Sequence, residues 1–318
     1  MHKGQRHLRR FKTVLYGGTL VLMIAVFLVG TVARGSKRWI DLGFFRFQPS
    51  EFGKLLLVLF LAGFLADRFK RVQEWRTVLG TVAFAAPPVL LVFLQPDFGS
   101  ALVYSAGLAA VLFVAGARWL HVVVLMLAAV FVAVVVLWLA PAAGVSVLKD
   151  YQQARLTAFL HPEKDIQGTT YNIKQSITAV GSGGTTGRGV SGSTQTNLDY
   201  LPEHATDFAF ASLAEQRGFA GAAVLLLLYL LVVWRGLRVV SLARDAFSAV
   251  AAGGIVFALL FQIFINVGMT IGVAPVTGIP LPMVSVGGSA MVGNLLAIGV
   301  LQAIHARGYS RRGGLLNL

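Results

Sequence analysis

The chain has 318 residues, of which 56% are hydrophobic and 13% charged, and its mean hydropathy is +0.75. An average soluble domain carries about 25% charged residues, so this composition excludes an ordinary soluble protein and indicates an integral membrane protein. The sequence contains no cysteine, which excludes disulfides and thiolate metal sites. The formal net charge is +14, and positively charged cytoplasmic loops explain it better than nucleic-acid binding does.

Eight apolar stretches are long enough to cross a bilayer, whose hydrocarbon core needs roughly 20 residues of helix. The basic residues 1–12 resemble the start of a signal peptide, but the apolar stretch after them is too long for one, so we expect an uncleaved anchor. The predicted fold class is an all-α polytopic membrane protein in which residues 1–318 form a single membrane domain. The predicted spans are 13–33, 52–66, 77–94, 99–116, 120–140, 208–234, 247–273 and 290–305.

An even number of spans places both termini on one side of the membrane. If that side is the cytoplasm, its segments carry sixteen Lys and Arg against three acidic residues, whereas the opposite side carries eleven against ten. Because excess positive charge belongs in the cytoplasm, both termini are predicted to lie there. The extracytoplasmic face then holds most of the acidic residues and the one long loop, 141–207, so we expect the chemistry on that face.

The first outer segment, residues 34–55, combines cations, aromatic residues and two acids beside the bilayer. Pro49 and Glu51 suit the first turn of a helix. Lys54 follows Glu51 by three residues and is its expected ion-pair partner, because an unpaired charge at that depth is costly. Trp39 suits an interfacial aromatic belt. The alternative to a functional role is that the segment consists only of snorkelling cations and aromatic membrane anchors.

The long loop contains one predicted helix and one glycine-rich stretch. Residues 171–180 favour a short interfacial helix. Its apolar face comprises Ile173, Ile177 and Val180. The stretch 181–196 is predicted to be a flexible loop, since its G-x-G-x-x-G string lacks the strand and helix of a dinucleotide site. Arg155 either meets an anionic head group or is simply solvated.

Besides Glu51, four carboxylates lie at or inside predicted helix starts on the outer face. Asp97, in a turn with Pro and Gly, is expected to cap the next helix. Pro202 suits a first helical turn, which predicts Glu203 and Asp207 one turn apart on one face. The helix N-terminus explains Glu203 without catalysis, but Asp207 and Glu215 lie deeper, where a carboxylate requires a wet cavity or a cation.

The segment 266–290 carries repeated Pro and Gly at the outer end of a predicted span. Irregular backbone at membrane depth is tolerated where it is buried in protein or lines a water-filled cavity. Thr277, Ser285 and Ser289 offer hydroxyl groups there, either to a cavity or within a plain re-entrant connector. Together the polar segments predict a cavity at the outer face with cations, a carboxylate at a helix end and a flexible cover.

Six motifs in order resemble those of the SEDS family (shape, elongation, division and sporulation), and YNIKQS and PVTGIPLP are similar to its RodA branch. They are GSKRWIDLG, FQPSEFGKL, QPDFGSAL, YNIKQS with AVGSGG, LPEHATDFAF and PVTGIPLPMVSVGGSA, between about residues 34 and 305. Family members usually have ten spans, so the resemblance implies that the first two are absent, and we expect a late start codon or a trimmed sequence. SVGGSA replaces the usual SYGGSS, which makes Ser285 and Ser289 weaker candidates than Asp207.

The resemblance implies a peptidoglycan glycosyltransferase that polymerises lipid II, a disaccharide-pentapeptide on undecaprenyl diphosphate, at the outer leaflet of the inner membrane for cell elongation. It implies Asp207, in the TDF motif, as the key catalytic residue. The implied partners are a lipid-linked glycan strand, a class B penicillin-binding protein and the elongation machinery. A divalent cation, Mg²⁺ or Mn²⁺, is a candidate cofactor, although no ligand cluster of metal-site spacing is visible; no organic cofactor is implied. The substrate-binding candidates are Arg38, Trp39, Glu51, Lys54, Arg155, Glu203, Thr277, Ser285 and Ser289.

As a hypothesis, Asp207 is the general base for the acceptor hydroxyl, and Arg38 and Lys54, backed by Arg155, hold the diphosphate. A groove between spans takes the polyprenyl chain. A flippase of lipid-linked precursor is the main alternative, but it needs paired gates or repeats, and here the inner loops are short and no internal repeat is found. A non-catalytic scaffold does not need deep carboxylates, and a nucleotide-sugar transferase needs a cytoplasmic domain.

Overall fold

The computed structural model describes residues 11–33, 36–43, 45–136 and 169–313. Arg155, predicted to contact substrate, lies outside the described residues. Most of the described chain is helical, as expected from its apolar composition. The helices are α1 Lys12–Val29, α2 Pro49–Asp67, α3 Trp75–Leu94, α4 Phe98–Val114, α5 Trp119–Val134, α6 Thr169–Ser182, α7 Gly189–Gly192, α8 Thr194–Asn197, α9 Ala209–Leu242, α10 Ala246–Thr270 and α11 Gly288–Gly313, with a 3-10 turn at Phe69–Arg71.

Within the described residues, six helices are long and apolar enough to cross a membrane: α1, α2, α3, α9, α10 and the part of α11 from Gly288 to Gly308. The predicted spans 99–116 and 120–140 coincide with α4 and α5, which are apolar but have only 17 and 16 residues. The all-α polytopic membrane fold is confirmed.

Three short strands between α1 and α2 were not anticipated by the sequence analysis. They are β1 Thr31–Ala33, β2 Ser36–Asp41 and β3 Arg46–Phe47, in the antiparallel order β1-β2-β3. Ile40 pairs with Phe47, which brings the chain back to the start of α2. Strands of two to six residues are too short to show a clear alternating pattern, so periodicity alone did not reveal them.

The chain divides into two compact units, and the prediction of a single membrane domain stays a prediction. Unit 1 comprises residues 1–122, 231–261 and 287–318. Its central helix is α2, of whose apolar window 72% is buried, against 17% for α1. Leu57, Leu61 and Leu65, spaced one helical turn apart, are fully buried and form one face of that helix.

Unit 2 comprises residues 123–230 and 262–286. Its core includes Ile173, Leu201, Phe208 and Met269, so α6 packs inside the unit together with the start of α9. The predicted helix 171–180 is confirmed as α6, and contact of its predicted apolar face with the membrane interface stays a prediction. Ile177 is 46% exposed, and the buried stripe repeats every third residue. It comprises Thr170, Ile173, Ser176 and Ala179.

The glycine-rich stretch 181–196 is packed against α9, which corrects the predicted loose loop. Gly218 interrupts α9 with a left-handed backbone (φ 64°, ψ −166°). The N–H groups of Phe219 and Ala220, which follow the break, donate to the carbonyls of Gly184 and Thr185 at 2.8 and 3.0 Å. Polar backbone freed by the break is therefore satisfied inside unit 2, as irregular structure in a membrane protein requires.

Candidate active site

Asp207 lies in a turn just before α9, and not on the helix that Pro202 was expected to start. Residues 201–208 are bends and turns, and α9 begins at Ala209. Glu203 has a positive φ of 56°, which an L-residue cannot keep within a right-handed helix. The N–H groups of Thr206, Asp207 and Phe208 all donate to the Glu203 carbonyl, at 3.1, 3.1 and 3.2 Å. The prediction that Glu203 and Asp207 share one helical face is therefore wrong.

Three consecutive backbone carbonyls of this turn accept hydrogen bonds from the second part of unit 2. The carbonyls are those of Ala205, Thr206 and Asp207, and the respective donors are the Val286 N–H at 2.8 Å, the Ser285 hydroxyl and the Asn266 side-chain amide at 2.9 Å. The backbone of the turn is thus fixed from outside at residues 205–207. We call residues 203–208 the aspartate turn.

The carboxylate of Asp207 belongs to a half-buried residue, whereas Phe208 beside it is fully buried. Glu203 is also half-buried, and its Oε2 accepts a hydrogen bond from the Thr206 hydroxyl at 2.8 Å. A rigid backbone that carries a partly accessible carboxylate is suited to proton transfer with a bound substrate.

Glu215 is fully buried and its charge is satisfied by the protein itself. Its carboxylate accepts hydrogen bonds from the N–H groups of Gln195 and Thr196 at 2.9 and 3.0 Å, and from the Thr196 hydroxyl at 2.7 Å. The prediction that this deep carboxylate requires a wet cavity or a cation is therefore wrong. Charge-assisted hydrogen bonds from the start of α8 satisfy the carboxylate instead of water or a cation. Glu215 thereby links α8 to α9.

An apolar groove of about 660 Å³ also lies within unit 2. It is lined by the end of α6, by α9 on both sides of its break and by α10, including Phe210, Phe219, Leu227 and Val267. Its walls can contact a hydrocarbon chain and offer little to a polar group.

In unit 1, the two predicted cationic site residues that the structure describes, Lys54 and Arg38, each form an ion pair. Lys54 donates to Glu51 at 2.9 Å, which confirms the pairing expected from their spacing. Arg38, in β2, lies 3.6 Å from Asp97, and its guanidinium lies 5.2 Å from the Trp39 ring centroid, within cation–π range. The Arg38–Asp97 contact was not predicted because the two residues are distant in the sequence.

Asp97 caps α4 as expected, since it accepts from the Ser100 N–H at 3.1 Å. It also accepts from the Gln48 amide at 3.0 Å and the Ser50 hydroxyl at 3.1 Å. The Tyr104 hydroxyl donates to the Ser50 carbonyl at 2.8 Å. A buried polar network therefore joins β2, the start of α2 and α4 within unit 1.

The hydroxyl-bearing candidates are mostly occupied by the protein. Ser285 donates to Thr206 in the aspartate turn and accepts from the Leu281 N–H at 2.8 Å. Ser289, in unit 1, accepts from the Gln48 N–H and donates to the Arg46 carbonyl, both at 2.9 Å. Thr277 is 1% exposed and lies 3.8 Å from the Met269 sulfur. Substrate contacts by these three residues stay predictions.

The predicted site residues thus fall into two groups. Unit 1 holds Arg38, Trp39, Glu51, Lys54 and Ser289, and unit 2 holds Glu203, Asp207, Thr277 and Ser285. Sequence reasoning missed Asn266, although an amide inside an otherwise apolar span was a usable signal. Within the described residues, no group of three or more His, Asp or Glu could hold a metal ion, and the divalent cation stays a prediction.

The sequence matches a known protein family over nearly its whole length. The family model for FtsW, RodA and SpoVE, described as "Cell cycle protein", matches residues 3–310. The peptidoglycan glycosyltransferase MrdB of Escherichia coli K12 is 39% identical over 292 residues, which cover 92% of this chain and 76% of MrdB. Stage V sporulation protein E of Bacillus subtilis 168 is 39% identical over 296 residues, with 92% and 77% covered.

Solved structures agree with this similarity. A chain from a peptidoglycan synthase complex, studied for its structural coordination of polymerization and crosslinking, superposes with a TM-score of 0.81 at 32% identity. The match covers 96% of this chain and 83% of that one. The rod shape determining protein RodA of Thermus thermophilus gives a TM-score of 0.67 at 28% identity, with 96% and 81% covered.

Proposed function

Because the chain belongs to the FtsW, RodA and SpoVE family of cell cycle proteins, we propose that it is a peptidoglycan glycosyltransferase that polymerises lipid II into glycan strands. Its expected role is cell elongation, since YNIKQS and PVTGIPLP are similar to the RodA branch. The protein is an integral membrane protein. We place both termini in the cytoplasm and the active face outside it, on the distribution of Lys and Arg.

The observation that carries this proposal is the aspartate turn. A half-buried carboxylate is held by a backbone in which the Asp207 carbonyl and the two carbonyls before it accept hydrogen bonds from α10 and from the Pro- and Gly-rich segment after it. An irregular turn lacks the regular hydrogen bonds of a helix, which lowers stability. We propose that the turn is kept despite this cost because it holds a general base in a fixed position.

In the proposed reaction, Asp207 takes the proton of the acceptor sugar's 4-hydroxyl as that oxygen attacks the anomeric carbon of the donor. The new glycosidic bond forms as the bond from the anomeric carbon to the lipid diphosphate breaks. The electron pair of that bond leaves with the diphosphate, whose growing charge needs cationic contacts. Arg38 and Lys54 remain our candidates for those contacts.

A lipid-linked substrate also needs an apolar contact for its polyprenyl chain. The groove of about 660 Å³ in unit 2 supports this part of the proposal, because its lining is almost entirely apolar. We further propose a class B penicillin-binding protein of the elongation machinery as the partner that crosslinks the product. The similarity to a chain of a peptidoglycan synthase complex supports that partner.

The test is polymerisation of lipid II by the purified protein, alone and with its penicillin-binding partner, with and without divalent ion. Asp207→Asn keeps the size of the side chain and removes the base, and we expect it to lower the rate by about 10²–10⁴-fold. Asp199→Asn is the matched control, because Asp199 is an exposed carboxylate of the same loop and its positive φ of 55° suits Asn.

Rapid polymerisation by Asp207→Asn would remove Asp207 from the role of base. Absence of polymer from the unchanged protein under all four conditions, together with transbilayer movement of lipid II in vesicles, would replace the transferase with a flippase.

A further inference from the structure

Asn266, on α10, is a fully buried amide that acts only as a donor among the described residues. Its Nδ2 donates to the backbone carbonyls of Asp207 at 2.9 Å and Ile279 at 2.7 Å. Its Oδ1 is buried without a hydrogen-bond partner in the part of the chain that the structure describes. A buried acceptor without a hydrogen-bond partner is unfavourable. If packing were the only role of this side chain, leucine would therefore be more stable at this position than asparagine. The two donated bonds are what the asparagine contributes.

These two bonds join irregular segments of unit 2 to a membrane helix. Asp207 is the next-to-last residue of the aspartate turn, and Ile279 lies in the Pro- and Gly-rich segment between α10 and α11. The other two ties to the turn, from Ser285 and Val286, come from that same irregular segment. Asn266 therefore links the Asp207 backbone directly to a regular helix. Through Ile279 it also holds the segment whose residues Ser285 and Val286 bind the turn.

We propose that Asn266 is a positioning residue for Asp207, an inference that rests on the proposed function of Asp207 as the base. The tie acts on the carbonyl of Asp207 itself, so its loss lets the Cα, and with it the carboxylate, shift relative to the acceptor hydroxyl. Misplacement of a catalytic group by about 1 Å lowers a rate by roughly 10²-fold. Asn266 touches neither substrate nor the reacting atoms in this scheme.

The alternative is that Asn266 only stabilises the fold. A structural role changes how much folded protein is obtained and leaves the turnover of the folded fraction unchanged. A positioning role lowers kcat of the folded protein and leaves KM for lipid II nearly unchanged, because binding groups elsewhere are intact. The split between kcat and KM therefore separates the two roles.

The experiment measures lipid II polymerisation by purified, monodisperse variants of the full chain with its partner. Asn266→Leu has a similar size and no donor, and we expect kcat to fall by about 10²-fold with KM within about twofold. Tyr229→Phe is the matched control. The Tyr229 hydroxyl donates to the Pro282 carbonyl, so this change removes one buried bond to the same segment without touching the aspartate turn. We expect its kcat within about twofold of the unchanged protein.

If Asn266→Leu does not fold, Asn266→Gln is measured instead. It keeps the amide donor but moves it one methylene further from α10, so kcat should again fall while KM holds. Equal kcat for a folded variant and the unchanged protein overturns the inference, and so does failure of both variants to fold, which assigns Asn266 a structural role. Failure of the proposed function is distinguishable, because it shows as absent polymer from the unchanged protein or as full activity of Asp207→Asn.

Discussion

The two cations proposed for the diphosphate are each paired with a carboxylate in unit 1. The side chains of Lys54 and Arg38 are only 11% and 15% exposed, so both are largely withdrawn from water. Burying such charges is costly, and a pair repays the cost only with good geometry and further hydrogen bonds. Glu51 and Asp97 therefore account for the presence of buried cations, and an incoming diphosphate must compete with them.

Separate and joint removal of the Glu51–Lys54 pair distinguishes stability from function. Glu51→Leu or Lys54→Met alone leaves a buried charge without this partner, and we expect each to lower the free energy of unfolding by about 3 kcal/mol. The double variant should recover most of that loss, since both charges are gone, yet polymerise lipid II slowly because Lys54 is absent. Thermal unfolding in detergent and the polymerisation rate measure the two effects.

The exposed pair of Arg46 and Asp41, 4.0 Å apart with side chains 68% and 42% exposed, provides the control. Asp41→Ala should change stability by less than about 1 kcal/mol, as is usual for exposed pairs. A double variant at Glu51 and Lys54 that polymerises at the unchanged rate would exclude Lys54 from binding the diphosphate.

The elements of unit 2 depend on close backbone contact at the break in α9. A Cβ at Gly218 would lie 2.3 Å from the Gly187 nitrogen and 2.7 Å from the Thr185 carbonyl carbon, which are backbone atoms that cannot turn aside. A few residues before the break, Glu215 holds the start of α8 through two N–H groups. The glycine-rich stretch and α9 therefore form one packed element, and α9 starts directly after the aspartate turn.

Gly218→Ala should loosen that packing. The left-handed backbone costs of order 1–3 kcal/mol for a residue with a Cβ, and the steric overlap adds to it. Gly299→Ala is the control, since Gly299 lies inside α11 with nothing within 4 Å of the added atom, and there alanine should be neutral or stabilising. Limited proteolysis between residues 183 and 200 and thermal unfolding measure the effect. Equal protease resistance of Gly218→Ala and the unchanged protein would contradict close packing of residues 181–196 against α9.

At the scale of the whole molecule, the features that neighbouring residues encode were predictable. Six of the eight predicted spans, the Glu51–Lys54 pair and the Asp97 cap follow from patterns within one helix. The Arg38–Asp97 contact and the Asn266 tie join residues far apart in the chain, and no local pattern specifies them. The turn at Glu203 replaced the predicted helix because tertiary hydrogen bonds to three successive carbonyls outweighed a local helix-start signal.

The hydrogen-bond donors of Glu215 likewise could not be predicted from the sequence. Depth in a helix correctly indicated that the carboxylate must be compensated, but not by what. Two of its three partners are the backbone N–H groups of residues 195 and 196, which any residue type except proline carries, and the third is the Thr196 hydroxyl. The location of a costly group can thus be predicted from sequence, whereas the donors that satisfy it become visible only in the fold.

The orientation of the chain is open to direct measurement, because its 318 residues contain no cysteine that would have to be replaced first. Asp199 lies between α8 and α9 with its side chain 85% exposed, and Lys70 is exposed between α2 and α3. The charge distribution predicts that D199C reacts with a membrane-impermeant maleimide in intact spheroplasts, whereas K70C reacts only after the membrane is opened. Labelling of K70C alone in intact spheroplasts would invert the topology, placing the aspartate turn in the cytoplasm, where an enzyme using extracytoplasmic lipid II could not work.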